Sequence, residues 1–209
     1  MCMSNFGDFR HIRFRATLKV VVALIFLLTG IAGIATWATL SAPKDPLTWD
    51  TVFAWIQRDW PEVPQMSTQE LARGMEADDE ARPLLIDVRT REEYEVSHLP
   101  GAIWAETPDQ IACALRGASD RKAVVLYCSV GVRSSRAAAK LVRSGRANVF
   151  NLRGSIFQWA NEGRPLIAND RAVHVVHPYN ERWGVLLNPP APRRWSELIR
   201  WSRPGAGRS

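Results

Sequence analysis

Cys128 is the residue of this 209-residue chain with the most to offer chemically. It sits in Leu126-Tyr127-Cys128-Ser129-Val130-Gly131-Val132-Arg133-Ser134. An apolar run over residues 123–127 stops at the thiol, crosses a short loop with glycine at its centre, and enters a helical pattern at Ser134. A thiol so placed lies above the end of a strand and faces backbone N–H groups and a helix N-terminus. Such a place stabilises an anion, so the thiolate should have a lowered pKa and act as a nucleophile. The alternative is an inert, buried cysteine, because free cysteine is among the most buried residue types. Gly131, Arg133 and Ser134 favour the reactive reading.

The loop needs a sheet to stand on, and the flanking sequence supplies one. Ser67-Thr68-Gln69-Glu70 is a capping box that opens a helix through about Met75. Residues 84–88 read as a strand, 92–96 as a short helix, 102–104 as a second strand and 108–115 as a helix. The Cys128 strand follows. A helix runs over 134–142 with Gly145 as its C-terminal stop, then comes a strand over 149–152 and a helix over 156–161. Strands alternating with helices indicate a parallel α/β sheet, whose ligands sit at the carboxyl ends of the strands. Cys128 falls at such an end.

Three motifs in this order resemble those of a single rhodanese-like (sulfurtransferase) domain, across roughly residues 64–168. The first is Leu85-Ile86-Asp87-Val88-Arg89 with Glu92-Glu93-Tyr94 and His98-Leu99-Pro100-Gly101-Ala102. The second is the Cys128 loop. The third is Leu152-Arg153-Gly154-Ser155-Ile156-Phe157-Gln158-Trp159 with Gly163-Arg164-Pro165-Leu166. The resemblance implies a rhodanese-like parallel β-sheet flanked by helices. It also implies that Cys128 takes a sulfur from a donor as a persulfide, Cys–S–S⁻, and passes it to a thiol or cyanide-like acceptor, with no cofactor and no metal. The N–H groups of Ser129, Val130, Gly131, Val132, Arg133 and Ser134 can cradle the terminal sulfur if the loop curls round it. Gly131 permits an unusual φ, and Arg133 can hold an anionic donor such as thiosulfate. Ser134 can cap the following helix and turn its hydroxyl to the sulfur. Because Arg133 is alone in the loop, a persulfide or polysulfide serves as well as thiosulfate.

Some phosphatases share this fold and use Cys-x5-Arg, whereas Cys128 and Arg133 form Cys-x4-Arg. The smaller ring suits one sulfur atom rather than a tetrahedral phosphate. The resemblance implies a supporting role for Asp87 and Arg89, orienting the loop; an ordinary ion pair between them is the alternative. His98 matches a turn position and is read as structural, and Ser97 before it stands where the family often has glycine, a minor departure. His174 and His177 have a spacing that could bind a metal on a helix. Alternating valines and Pro178 indicate a strand instead, which points the two histidines oppositely.

Outside the motifs the chain divides into a basic N-terminus (1–17), an apolar run (18–40), a tether (41–63), the domain (64–168) and an extension (169–209). The apolar run is about 34 Å long as a helix, enough to cross a bilayer, so one transmembrane helix is expected to precede the domain. A cleaved signal is the other reading. Arg10, Arg13, Arg15 and Lys19 flank one side, while Lys44, Asp45 and Asp50 nearly balance on the other. The N-terminus is therefore expected in the cytoplasm and the domain outside it: in a bacterium, a single-pass inner-membrane protein with a periplasmic domain. Trp49, Phe53, Ile56 and Trp60 recur at helical spacing in the tether and are expected to pack on the domain rather than on the membrane. Arg193, Arg194, Trp195, Leu198, Ile199, Arg200 and Trp201 form a basic, aromatic tail that fits a lipid surface or a membrane protein partner, with a disordered or self-packed tail as the equal alternative. The net charge of +6 arises mainly at the two ends, which argues against nucleic acid. Cys2, Cys113 and Cys128 make no disulfide framework. Cys113 is expected in the core, and a bridge from it to Cys128 would silence the nucleophile. Two functions fit: a membrane-anchored sulfurtransferase, or a non-catalytic interaction module on the same fold.

Overall fold

The computed structural model describes residues 47–119 and 121–188. The basic N-terminus, the proposed span over 18–40, the start of the tether and the tail beyond 188 lie outside the described residues. Among the described residues no helix is long and apolar enough to cross a membrane.

The elements in chain order are α1 (Trp49–Asp59), β1 (Gln65–Met66), α2 (Thr68–Met75), β2 (Leu84–Asp87), α3 (Arg91–Val96), β3 (Ile103–Trp104), α4 (Pro108–Ala114) and β4 (Val124–Tyr127). They continue with α5 (Val132–Arg143), β5 (Val149–Leu152), α6 (Ser155–Asn161), β6 (Leu166–Ala168), β7 (Arg171–Val173) and α7 (Glu181–Gly184). Five strands form one parallel sheet in the order β1-β5-β4-β2-β3. Capping boxes start three helices: Ser67 with Glu70, Thr90 with Glu93, and Thr107 with Gln110. Each satisfies two N–H groups that the first helical turn would leave open.

The central strand β4 is buried along its whole length, as a parallel strand covered on both faces must be. Its side chains alternate between two apolar layers. Val125 and Tyr127 join Leu71, Ile156, Phe157 and Trp159 on one face. Val124, Leu126 and Cys128 join Val88, Ile111, Ala138 and Ala139 on the other. Each fully buried aliphatic side chain contributes roughly 1.5–3 kcal/mol, so the sheet centre, with Cys128 at its end, is the best-anchored part of the molecule.

The tether helix α1 packs on this core through Val52 and Ile56, with Trp60 beside them. That is the expected arrangement, carried by the apolar stripe. The segment after the domain is also built in: Val176 and Leu186 are buried in the first layer.

Three expectations are corrected. The helix after the cysteine loop begins at Val132, not Ser134, with Gly131 as its N-cap. The strand expected over 174–177 lies at Arg171–Val173 instead, paired antiparallel with β6. The cause is the turn: Asn169 and Asp170 both have positive φ, 49° and 59°, the backbone a tight two-residue hairpin needs. That turn sets the register Ala168↔Arg171 and ends the pairing at Val173. Cys113 is exposed rather than core, and both it and Cys128 are free. Helix α4 has seven residues and buries one face through Ile111, which leaves Cys113 outward, accepting from the Arg116 guanidinium.

Candidate functional site

The site lies at the carboxyl ends of β2, β4 and β5. Register places Asp87 beside Tyr127, so Val88 lies next to Cys128 and its N–H donates to the Tyr127 carbonyl at 3.0 Å. Cys128 is 1% exposed.

What turns the loop toward the sulfur is the disposal of its carbonyls. The Cys128 carbonyl accepts from Ile156 N–H at 3.2 Å and the Ser129 carbonyl from Phe157 N–H at 3.1 Å. Both bonds use the otherwise open first turn of α6. The Cys128 N–H donates to Ser155 Oγ at 3.2 Å, and Ser155 donates to the Leu152 carbonyl at 3.1 Å. The Gly131 carbonyl accepts from Ser135 N–H at 3.0 Å as α5 begins. With these oxygens held away, the Gly131 N–H points at Cys128 Sγ from 3.2 Å. That geometry needs φ +109° at Gly131, a region closed to other residues at modest cost. A Cβ there would also stand 3.0 Å from Ile56 Cδ1 and 3.1 Å from Asn151 Nδ2.

Of the expected cradle residues Ser129 through Ser134, the structure brings Gly131 and Ser134 onto the sulfur. The Ser134 backbone N–H faces it, and the Ser134 hydroxyl stands 3.5 Å from Sγ and 2.6 Å from Asn151 Oδ1. Ser134 is therefore inside α5 rather than its cap. Val130 turns into the apolar layer with Val176 and Ile56, and Val132 packs against that layer. The Ser129 hydroxyl donates to Glu93 Oε1 at 2.9 Å. Burial pushes the Cys128 thiol up, but the Arg133 charge and the donors on Ser134 and Gly131 outweigh it, and the thiol is held below its ordinary value.

Arg133, expected to hold an anionic donor, is already paired within the protein. Its Nη1 and Nη2 grip the two Glu93 oxygens at 2.7 and 2.6 Å, and Nη2 also donates to Ser129 Oγ at 2.9 Å. The Glu93 side chain is 1% exposed and that of Arg133 29%. Burial would raise the Glu93 carboxyl, but Arg133 and the Thr90 N–H bring it down to about 2. The ring of Tyr179 covers the guanidinium, 4.6 Å from Cζ. The loop's one positive charge is thus matched by a carboxylate that neither composition nor spacing identified. Glu93 was quoted only as part of the first motif, and the one local signal for its position is its capping-box spacing from Thr90.

Asp87 and Arg89 pair with each other. Arg89 Nη2 and Nε reach Asp87 at 2.6 and 2.9 Å, Nη2 also donates to the Ser97 carbonyl at 2.6 Å, and both side chains are fully buried. Neither makes a hydrogen bond to residues 128–134, and Arg89 lies close enough to Glu93 for its charge to help lower that carboxyl. They hold the turn before His98. His98 is structural: Nδ1 meets the Tyr94 carbonyl at 3.0 Å, and the ring stacks on Tyr94 with centroids 3.8 Å apart.

Two further residues approach the site from the extension. His177 is held down to about 4, mainly by burial, and lies within electrostatic reach of Glu93, Arg89 and Arg133. Tyr179 is the residue over Arg133. Beside Arg133, a cavity of about 270 Å³ opens between α4 and α5, floored by Val88, Ile111 and Leu141 and rimmed by Arg136 and Lys140. Among the described residues no cluster suits a metal ion.

The rhodanese-like domain family matches residues 67–162. A sulfurtransferase of Allochromatium vinosum is 37% identical over 86 residues, 41% of this chain and 78% of that protein. A tRNA uridine(34) hydroxylase of Photorhabdus laumondii is 31% identical over 107 residues, 48% of this chain and only 30% of the hydroxylase. A solved thiosulfate sulfurtransferase from Pseudomonas aeruginosa superposes with TM-score 0.50 and 19% identity, over 68% of this chain and 28% of that one. That last likeness is one of fold.

Proposed function

The chain belongs to the rhodanese-like sulfurtransferase family, and from that premise we propose that it transfers sulfane sulfur through a persulfide on Cys128. The observation that carries the reading is a buried thiol facing N–H donors from Gly131 and Ser134, with the loop carbonyls held away from it.

In the first half-reaction the Cys128 thiolate attacks the outer sulfur of the donor. With thiosulfate, the new S–S bond forms as the S–S bond of the donor breaks. Sulfite then leaves with that bond's electron pair. With a persulfide R–S–SH, a thiolate R–S⁻ leaves and takes up the proton that the new enzyme persulfide releases. In the second half-reaction an acceptor, a thiolate or cyanide, attacks the terminal sulfur and restores the Cys128 thiolate. No net oxidation occurs. The N–H groups act on the negative charge that the terminal sulfur carries between the two halves, where fixed dipoles in a dry site act most strongly.

The test is intact-mass measurement of the full chain after incubation with thiosulfate or a polysulfide. The expected result is a gain of one sulfur that cyanide removes. No gain with any donor would leave the second reading, a non-catalytic module that binds a partner through the same fold.

Location is part of the proposal. The apolar segment 18–40 and its basic flank support an inner-membrane anchor with the domain in the periplasm and, with the basic tail, contact with lipid or a membrane protein partner. In this reading the full chain stays in the membrane pellet after carbonate extraction, and release into the supernatant would count against it.

A further inference from the structure

The residue that closes the site on its outer side comes from beyond the family match, which ends at 162. The extension is anchored at both ends of its path across the loop. Val176 is buried in the same layer as the loop residue Val130. Further on, Leu186 is buried, and its carbonyl accepts from Asn161 Nδ2 at 2.8 Å. Asn180 caps α7, accepting from Trp183 N–H at 3.2 Å, and the Trp183 ring meets Trp55 edge-on. Between these anchors Tyr179 takes φ +65°, a conformation that an aromatic residue adopts only when its surroundings impose it. Its N–H donates to His177 Nδ1 at 2.9 Å. The outcome is a ring laid 4.6 Å from Arg133 Cζ.

Arg133 has two ways to greet an anion: its N–H edge and its flat face. Its Nη1 and Nη2 are engaged by Glu93 and Ser129, and Tyr179 covers one face. Glu93 and the Cys128 thiolate together carry two negative charges against the one positive charge of Arg133. A small dianion approaching the sulfur meets the charges of Glu93 and the thiolate and a cation already matched and covered, and like-charge juxtaposition is a strong means of rejecting a ligand; Arg136 and Lys140 line the neighbouring cavity rather than the sulfur. A persulfide brings at most one charge to the reacting sulfur. The neighbouring cavity has an apolar floor, and Arg136 and Lys140 on its rim make no ion pair among the described residues. It suits an organic group that carries a carboxylate.

We infer that Tyr179 is a specificity-determining residue: its ring covers Arg133 and biases the site against small inorganic dianions such as thiosulfate, toward organic persulfides. The inference rests on the sulfur-transfer reading above. The full chain is tested in single turnovers, following sulfur gain on Cys128 by mass with thiosulfate and with cysteine persulfide over a range of concentrations. Tyr179→Gly removes the ring and fits the positive φ without strain, so it should fold. Tyr179→Asn is a second ring-free variant that also tolerates this backbone.

Both should raise the rate-constant ratio of thiosulfate to persulfide by about tenfold. The gain should lie in the concentration of thiosulfate needed rather than in the limiting rate. Tyr179→Phe, which keeps the ring, should keep the wild-type ratio. An unchanged ratio, or an equal fall in limiting rate with both donors, would overturn the inference and leave Tyr179 a clamp on the loop. If the wild-type chain gains no sulfur from either donor, it is the sulfur-transfer reading that fails, and with it this one.

Discussion

Cys128→Ser is expected to abolish sulfur gain and turnover, by on the order of a thousandfold or more, as removal of a covalent nucleophile does. The oxygen is similar in size and would keep its contacts with Gly131 N–H and Ser134. The fold should survive within about 1 kcal/mol, since surrounding packing is unchanged in kind. A serine hydroxyl is a weak nucleophile at neutral pH without a base to take its proton, and His98 is committed to Tyr94. Exposed Cys113 is the control that matters. A thiol at the surface can pick up sulfur without any site, so Cys113→Ser should retain full transfer. If Cys128→Ser still gained sulfur in a background with Cys2 and Cys113 both replaced by serine, the assignment of the nucleophile would be wrong.

Glu93→Ala should be the most damaging change at the site that leaves the nucleophile in place. It removes both ionic bonds to Arg133, the acceptor of the Ser129 hydroxyl and the acceptor of the Thr90 N–H. Removing one partner of a buried pair costs about 3–5 kcal/mol; because Arg133 is partly exposed, the lower end of that range applies. Loss of the brace on Ser129 and Arg133 moves the loop, and displacement of about 1 Å in a reacting group costs on the order of a hundredfold in rate. Urea unfolding and single-turnover transfer measure the two effects. A variant as stable and as fast as the wild type would show that Glu93 supports nothing.

The same carboxylate sets an acid limit. Its folded-state pKa lies below the ordinary value of 4.5, at about 2. A carboxyl held down in this way contributes stability above pH 4.5, and that contribution is lost as pH falls toward 2. Glu93→Gln, uncharged throughout, should show a shallower loss of stability over that interval.

Much of this was legible along the chain. Strand β4, the glycine loop and the helix after it follow from local periodicity and from a residue type that tolerates positive φ. Ser67 and Glu70 announced α2, and the stripe on α1 announced its packing. Errors arose where a choice was not local. The hairpin at Asn169 and Asp170 moved a strand, and the packing of α4 on the core through Ile111 put Cys113, two positions on, on the outer face. The bonds that define the site were invisible because they join residues far apart: Glu93 and Arg133 are separated by 40 positions, Ser134 and Asn151 by 17, Cys128 and Ser155 by 27.

What the amino-acid order alone determined is a thiol at a strand end with an amide-lined loop, because turns, caps and two-residue alternation are governed by neighbours a few residues away. Which carboxylate meets Arg133, which serine holds the Cys128 amide and which ring covers the cation were decided only by folding. The strand order β1-β5-β4-β2-β3 brings the β2, β4 and β5 ends together, and the extension is then laid across them. A side chain's partner is set by proximity in space, and no local pattern encodes it.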